Sequence, residues 1–258
     1  MTGPAGVLAL VLAETVAGGA ALLFLTPLWG EVRRGFFKLT GIVIAVLALS
    51  AWGSIAAARR PGSVAGEQAW WLALAVTVAT AAWVVLMFAR AERAGRALGF
   101  LTVPASLALL GALAGTADHS HPVAFLQLLG GAAFMGAVVD GLLLGHWYLT
   151  DRRLTRRPIN RFTAALLAAV VLEVAAVAAG GFGATATSRE LSPLLTAAGV
   201  ASYVAIGMVL ATALIAVMIR ITLRGQRATA VQAATGFFYL AVITAFTAEL
   251  AAKVRFLP

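Results

Sequence analysis

Long apolar runs, each closed by a short polar stretch, set the pattern of this chain. Eight runs stand out, over residues 5–28, 39–58, 68–90, 95–116, 122–149, 160–183, 192–223 and 230–251. Each is near or above the ~20 residues needed to cross ~30 Å of hydrocarbon at a helical rise of ~1.5 Å per residue. Backbone groups in lipid must be satisfied within the segment, and a barrel would show strict apolar–polar alternation. The pattern therefore predicts an all-α integral membrane protein, an eight-transmembrane-helix bundle forming a single polytopic domain over residues 1–258. The longest run, 192–223, must tilt or emerge into water at its inner end. Connections are short throughout, which leaves no room for a separate soluble domain.

Composition agrees with the pattern. Hydrophobic residues make up 62% of the chain, charged residues 11%, and mean hydropathy is +0.96. A water-soluble domain carries roughly 25% charged residues. The net charge of +9 and pI of about 11.4 raise the question of a nucleic-acid partner. The distribution of basic residues answers it. Arg33, Arg34 and Lys38, then Arg90, Arg93 and Arg96, then Arg152, Arg153, Arg156, Arg157 and Arg161, then Arg220, Arg224 and Arg227 occupy the odd-numbered connections. Only Arg59, Arg60, Arg189, Lys253 and Arg255 fall elsewhere. This is the positive-inside signature, so both termini are expected outside and no nucleic acid is implied. The first run lacks a basic leader and continues through Glu14, which reads as a retained span. Ala, Gly and Arg richness points to a GC-rich bacterium and hence its cytoplasmic (inner) membrane.

No cysteine is present, which excludes disulfides, a thiolate-ligated iron–sulfur cluster and a thiol nucleophile. No nucleotide-binding glycine loop, zinc-protease helix or nucleophile elbow is found. Gly18-Gly19, Gly130-Gly131 with Gly136, and Gly180-Gly181 with Gly183 read as positions of close helix approach. Trp29, Trp70, Trp71, Trp147 and Tyr148 fall near helix ends and read as interfacial belt residues. A short echo links Glu14–Gly19 (ETVAGG) with Glu173–Gly181 (EVAAVAAGG).

The candidate chemistry lies in ionisable residues within apolar runs, because an unpaired charge there costs several kcal/mol. By helical rise Glu14 lies ~14 Å into its run, Glu173 ~20 Å and Asp140 ~27 Å, the last near the inner face. Each suits proton transfer, and each equally suits a neutral acid that locks two helices together. His146 follows Asp140 at the inner boundary and reads as an interfacial anchor bonded to Asp140 or a loop, or as a further proton carrier. His121 and His146 are ~37 Å apart along one helix, so they cannot ligate one haem iron. His119 and His121 alone make a weak metal signal, and no metal site is assigned.

The layout resembles the membrane-anchor subunits of the dimethyl sulfoxide and polysulfide reductase (NrfD-like) group. The residues that carry the likeness are Glu14 before Val16-Ala17-Gly18-Gly19, and Ile55-Ala56 before Arg59-Arg60-Pro61-Gly62-Ser63. The others are Pro122 through Gly130-Gly131, and Ala248-Glu249-Leu250 before Lys253 and Phe256. The resemblance implies a subunit without the catalytic centre, in a respiratory-type oxidoreductase complex with other membrane subunits. It would bind a quinone, menaquinone or ubiquinone, beside an extracytoplasmic iron–sulfur or multihaem cytochrome partner. By position Glu14 would contact the quinone, and Arg60 replaces the family's usual histidine. Arg60 cannot accept a proton, so His119 or His121 would supply the acid–base group. Glu249 and Lys253 look like a structural pair that fastens the last helix. Two other classes also fit the buried acids: a proton-coupled secondary transporter, with Pro27 and Pro104 as weak candidates for broken helices, and a purely structural accessory subunit.

Overall fold

Where no water reaches the backbone, a spanning segment must close its own hydrogen bonds, and every apolar run here does so as a helix. The computed structural model describes residues 1–117, 120–151, 153–180, 199–225 and 229–256. They form α1 (Gly3–Leu25), α2 (Arg34–Ala58), α3 (Val64–Phe88), α4 (Glu92–Ala114), α5 (His121–Thr150), α6 (Arg157–Ala179), α7 (Val200–Arg224) and α8 (Ala230–Val254). All eight are long and apolar enough to cross a membrane. Among the described residues the only strand-like feature is an isolated bridge between Trp29 and Val32. The chain is a multi-pass membrane protein by this architecture.

Helix ends follow local chemistry. Ser63 Oγ accepts a hydrogen bond from the Gly66 N–H and caps α3. Pro122 and Pro158 stand in the first turns of α5 and α6, where no N–H is needed. Helix α2 starts at Arg34, earlier than the apolar run at 39, because its basic first turn continues the helix past the apolar stretch. The expected span 160–183 is described as helix to Ala179, and 181–183 lie outside the described residues. Likewise 192–198 of the expected run 192–223 lie outside them, and α7 begins at Val200.

The helices pair as two four-helix groups, α1–α4 and α5–α8, each closed by contact between its first and last member. Helices α1 and α5 join the groups and run in parallel. A methyl built on Gly18 would lie 1.7 Å from the Ala132 carbonyl oxygen, and one on Gly136 would lie 2.3 Å from the Gly18 backbone. Only glycine permits this approach. Helix α1 is buried along most of its length, as expected for a helix apolar on every side. By contrast α2, α3 and α7 expose Val46, Leu49, Val78, Val85, Leu210, Leu214 and Ile221, surfaces suited to lipid. The sequence echo between Glu14 and Glu173 is not a structural repeat. The counterpart of α1 in the second group is α5, whereas Glu173 stands on α6.

The two ends of the bundle differ in chemistry. One gathers the termini: the Thr2 N–H bonds the Ala58 carbonyl at 3.3 Å, and Arg255 donates to the Gly180 carbonyl at 3.5 Å. The other carries the arginine-rich connections. Arg161 pairs with Glu31 at 2.9 Å, Arg33 with Asp151 at 3.1 Å and Arg34 with Glu92 at 3.3 Å. Arg156 donates to the carbonyls of Leu223 and Gly225 and so covers the C-terminus of α7. Trp29 stacks on Phe37 at 3.8 Å between ring centroids, and Phe24 meets Trp83 edge-on at 4.8 Å. Trp29 is thus part of an aromatic cluster at this end as well as lying at its boundary. Trp71, 59% exposed, meets Trp70 edge-on at 4.6 Å between ring centroids.

Candidate functional site

Three helices, α1, α6 and α8, bring three acids and one ammonium to a single buried point near the terminal end, and α5 adds a backbone carbonyl. Glu249 and Lys253 stand one turn apart on α8, with the glutamate N-terminal to the lysine, the favourable order for a helical pair. Lys253 Nζ lies 3.0 Å from Glu249 Oε2, 2.7 Å from Glu14 Oε1 of α1, and 3.3 Å from the Gln127 carbonyl of α5. Its place at the C-terminal end of α8 also sets the positive charge against that helix's dipole. Glu249 lies close enough to Glu14 and to Glu173 of α6 for the three carboxyls to interact electrostatically. Glu14 and Glu249 are 0% exposed, Glu173 1% and Lys253 2%. Phe256, buried, lies with its ring centroid 5.9 Å from the ammonium.

The adjacent glycines of α5 make the room. A methyl on Gly131 would fall 2.6 Å from Glu14 Oε1, and one on Gly130 would fall 2.8 Å from Glu173 Oε2. Gly130 is a site of close helix approach, since a methyl there would also fall 2.8 Å from the Ala176 Cβ of α6, and together with Gly131 it leaves space for two carboxyls on adjacent faces of α5. Gly18 and Gly136 are the pair that brings backbones together. Sequence reading places Glu14 and Glu173 as separate acids. Nothing in the sequence signals that they meet, because they sit on helices that are not neighbours along the chain.

Helical rise sets the depth. Glu173 and Gln127 each lie six residues from the terminal ends of their helices, ~9 Å, and Glu14 lies eleven from the start of α1, ~16 Å. A small cavity, with room for about one water at ≈ 20 Å³, opens between α5, α6, α7 and α8 beside this cluster. Gln127, Glu173, Ser202, Lys253 and Arg255 line it.

The remaining candidates sit apart. Asp140 is 0% exposed, lies toward the arginine-rich end beside Gly19 and Ile44, and neither carboxyl oxygen has a hydrogen-bond partner among the described residues. His146 does not bond Asp140. Its Nδ1 lies 3.1 Å from the Tyr239 hydroxyl on α8, because six helical residues turn His146 well away from the face that carries Asp140. Arg60 is exposed in the α2–α3 turn, outside the Lys253 cluster. His121 is exposed at the start of α5 and bonds the Gly111 carbonyl at 3.0 Å. His119 lies outside the described residues. Of the three described residues expected to meet a quinone, Glu14, Arg60 and His121, Glu14 alone belongs to the cluster. Pro104 lies within a continuous α4, and Pro27 falls after α1 has ended, so neither breaks a helix. Among the described residues no set of three His, Asp or Glu is placed to hold a metal ion.

The segments of Glu14, Gly130-Gly131 and Glu249–Phe256 meet around Lys253. Comparison of the chain with protein-family models, with curated proteins and with solved structures gave no match.

Proposed function

We propose that this chain is a proton-exchanging membrane-anchor subunit of a bacterial respiratory-type oxidoreductase complex. Its termini face the outside of the cytoplasmic membrane, which puts the Lys253 cluster in the outer half of the bilayer. The observation that carries the reading is the ratio of charges: one ammonium, Lys253, among the three buried carboxyls Glu14, Glu173 and Glu249. Neutrality in a low-dielectric interior requires two of those carboxyls to hold protons. A store of two protons within one buried cluster suits coupling to quinone chemistry, which consumes or yields two protons per quinol.

In this reading a menaquinone or ubiquinone is approached from the side of Glu14. Electrons pass to or from an iron–sulfur or multihaem cytochrome partner on the outer face. Convergence of the resembling segments on one site supports this assignment. Asp140 and His146, on the arginine-rich side, are separate proton-binding groups that serve the inner half. The continuous helices, with no broken pair at Pro27 or Pro104, weigh against an alternating-access carrier. Purification of the intact complex, with quinone content and quinol-linked reduction measured in wild type and Glu14→Gln, tests the proposal. Bound quinone and a loss of turnover in the variant are expected. Unchanged turnover with no quinone present would remove it.

A further inference from the structure

The cavity beside the cluster has chemistry that the ion pairs do not use. Three side-chain oxygens from three helices border it without a hydrogen-bond partner among the described residues: Gln127 Oε1 of α5, Glu173 Oε2 of α6 and Ser202 Oγ of α7. Glu173 and Ser202 are each 1% exposed. Orphaned polar atoms in an interior cost roughly 1–3 kcal/mol each, and three around one void call for a shared partner. The void of ≈ 20 Å³ exceeds the ~10–15 Å³ that one water centre needs, and a buried water typically makes about three hydrogen bonds. A metal cation is excluded on electrostatic grounds, because Lys253 and Arg255 line the same cavity. A neutral molecule that both donates and accepts fits: it donates to Gln127 Oε1 and accepts from the Ser202 hydroxyl.

We infer that a water held by Gln127, Ser202 and Glu173 is the port through which the Lys253 cluster exchanges protons with the aqueous phase at the terminal end. The inference rests on the proton store proposed above and names its point of exchange as Glu173, not Glu14. Position supports it. Glu173 is the acid on the cavity wall, whereas Glu14 lies behind Lys253 against Gly131. Above the cavity Gln127 Nε2 lies against Gly180, whose carbonyl accepts from Arg255, and Arg255 is half-buried at the surface. On the side toward Asp140, α1 and α5 close on each other at the seam of Gly18, Ala132 and Gly136. The groups that face Glu173 are Gln127 on α5, Ser202 on α7, Glu249 and Lys253 on α8, and Glu14 on α1. In the transfer step the water gives one proton to Glu173 Oε2 as it takes one from the outer phase. The water's O–H bond breaks as one forms on Glu173 Oε2, a hydronium of the outer phase loses its proton as a new O–H forms on the water, and the water is restored.

Infrared difference spectroscopy on the full chain in nanodiscs after rapid mixing with D₂O reads this directly. The C=O band of protonated carboxyls is followed, and the contribution of Glu173 is assigned by its loss in Glu173→Gln. Ser202→Val and Ser202→Thr fill the same volume and differ in the hydroxyl. The expected result is deuteration slowed on the order of 10²-fold in Ser202→Val, the lower range for loss of a positioned proton-transfer group, and near wild type in Ser202→Thr. Equal rates in the two variants would overturn the port and leave the proton store intact. Absence of any band sensitive to Glu173→Gln would overturn the store and the port together. If Ser202→Val does not fold, Gln127→Met removes a second ligand of the water, and an unchanged rate there counts against the port in the same way.

Discussion

Lys253 is the residue whose removal should be felt most. Replacing it with methionine keeps most of the side-chain volume and deletes the charge that faces Glu14 at 2.7 Å and Glu249 at 3.0 Å. At an effective dielectric of about 20, a pair at 2.7 Å attracts by about 6 kcal/mol, and the several kcal/mol spent on desolvating each ion offset much of it. The pair in place is therefore worth little net, but removing one partner leaves a buried carboxylate without its counter-charge. That costs about 3–5 kcal/mol. Glu14→Gln alone is expected to cost less, because Lys253 keeps Glu249 as its ion-pair partner. The double variant Glu14→Gln/Lys253→Met removes both charges and should recover about 2 kcal/mol of the sum of the single losses, within the range for directly coupled residues. The assay is reversible unfolding in mixed micelles with a rising fraction of denaturing detergent. Additivity of the single losses to within about 0.5 kcal/mol would refute an energetically coupled ion pair.

The glycine seam and the carboxyl niche make opposite controls available. Gly136→Ala drives a methyl into the Gly18 backbone and Gly131→Ala drives one into Glu14, so each should cost about 1–3 kcal/mol or more in the same unfolding assay. Gly111→Ala and Gly236→Ala, which open onto free space within their helices, should be neutral or stabilising by up to about 1 kcal/mol. Because the chain has no cysteine, single replacements report topology cleanly. Arg60→Cys should react with a membrane-impermeant maleimide added to intact cells, and Ala94→Cys only after the membrane is opened; the reverse pattern would invert the proposed orientation. Tyr239→Phe removes the hydroxyl that faces His146 Nδ1 and should cost about 0.5–1.5 kcal/mol, measured as the shift in unfolding midpoint. No loss of stability there would show that the pair is not formed in lipid.

Architecture was legible along the chain because hydrocarbon imposes a length and a local hydrogen-bonding rule on every segment. Apolar runs of the right length announce helices without knowledge of their neighbours, and the alternation of basic connections is written residue by residue. The sequence by itself also marks Glu14, Asp140, Glu173 and Glu249 as expensive residues, since their burial follows from the runs that contain them, whereas Lys253 falls just past the last run and its burial is a finding of the structure. What those residues form together was decided by tertiary structure. Lys253 bonds Glu249 through a local turn, a contact that spacing alone suggests. Its contact with Glu14 spans nearly the whole chain and exists because α1 is enclosed between the two helix groups. Gly130 and Gly131 illustrate the same limit. A glycine pair reads as close helix approach, and only the partners that fill the vacated space, here the Glu14 carboxyl at Gly131 and both Ala176 and the Glu173 carboxyl at Gly130, show that packing seam and niche coincide. The His146 partner was missed for a related reason: the direction in which a side chain leaves a helix depends on rotation about the axis, and contacts with the other helices set that rotation.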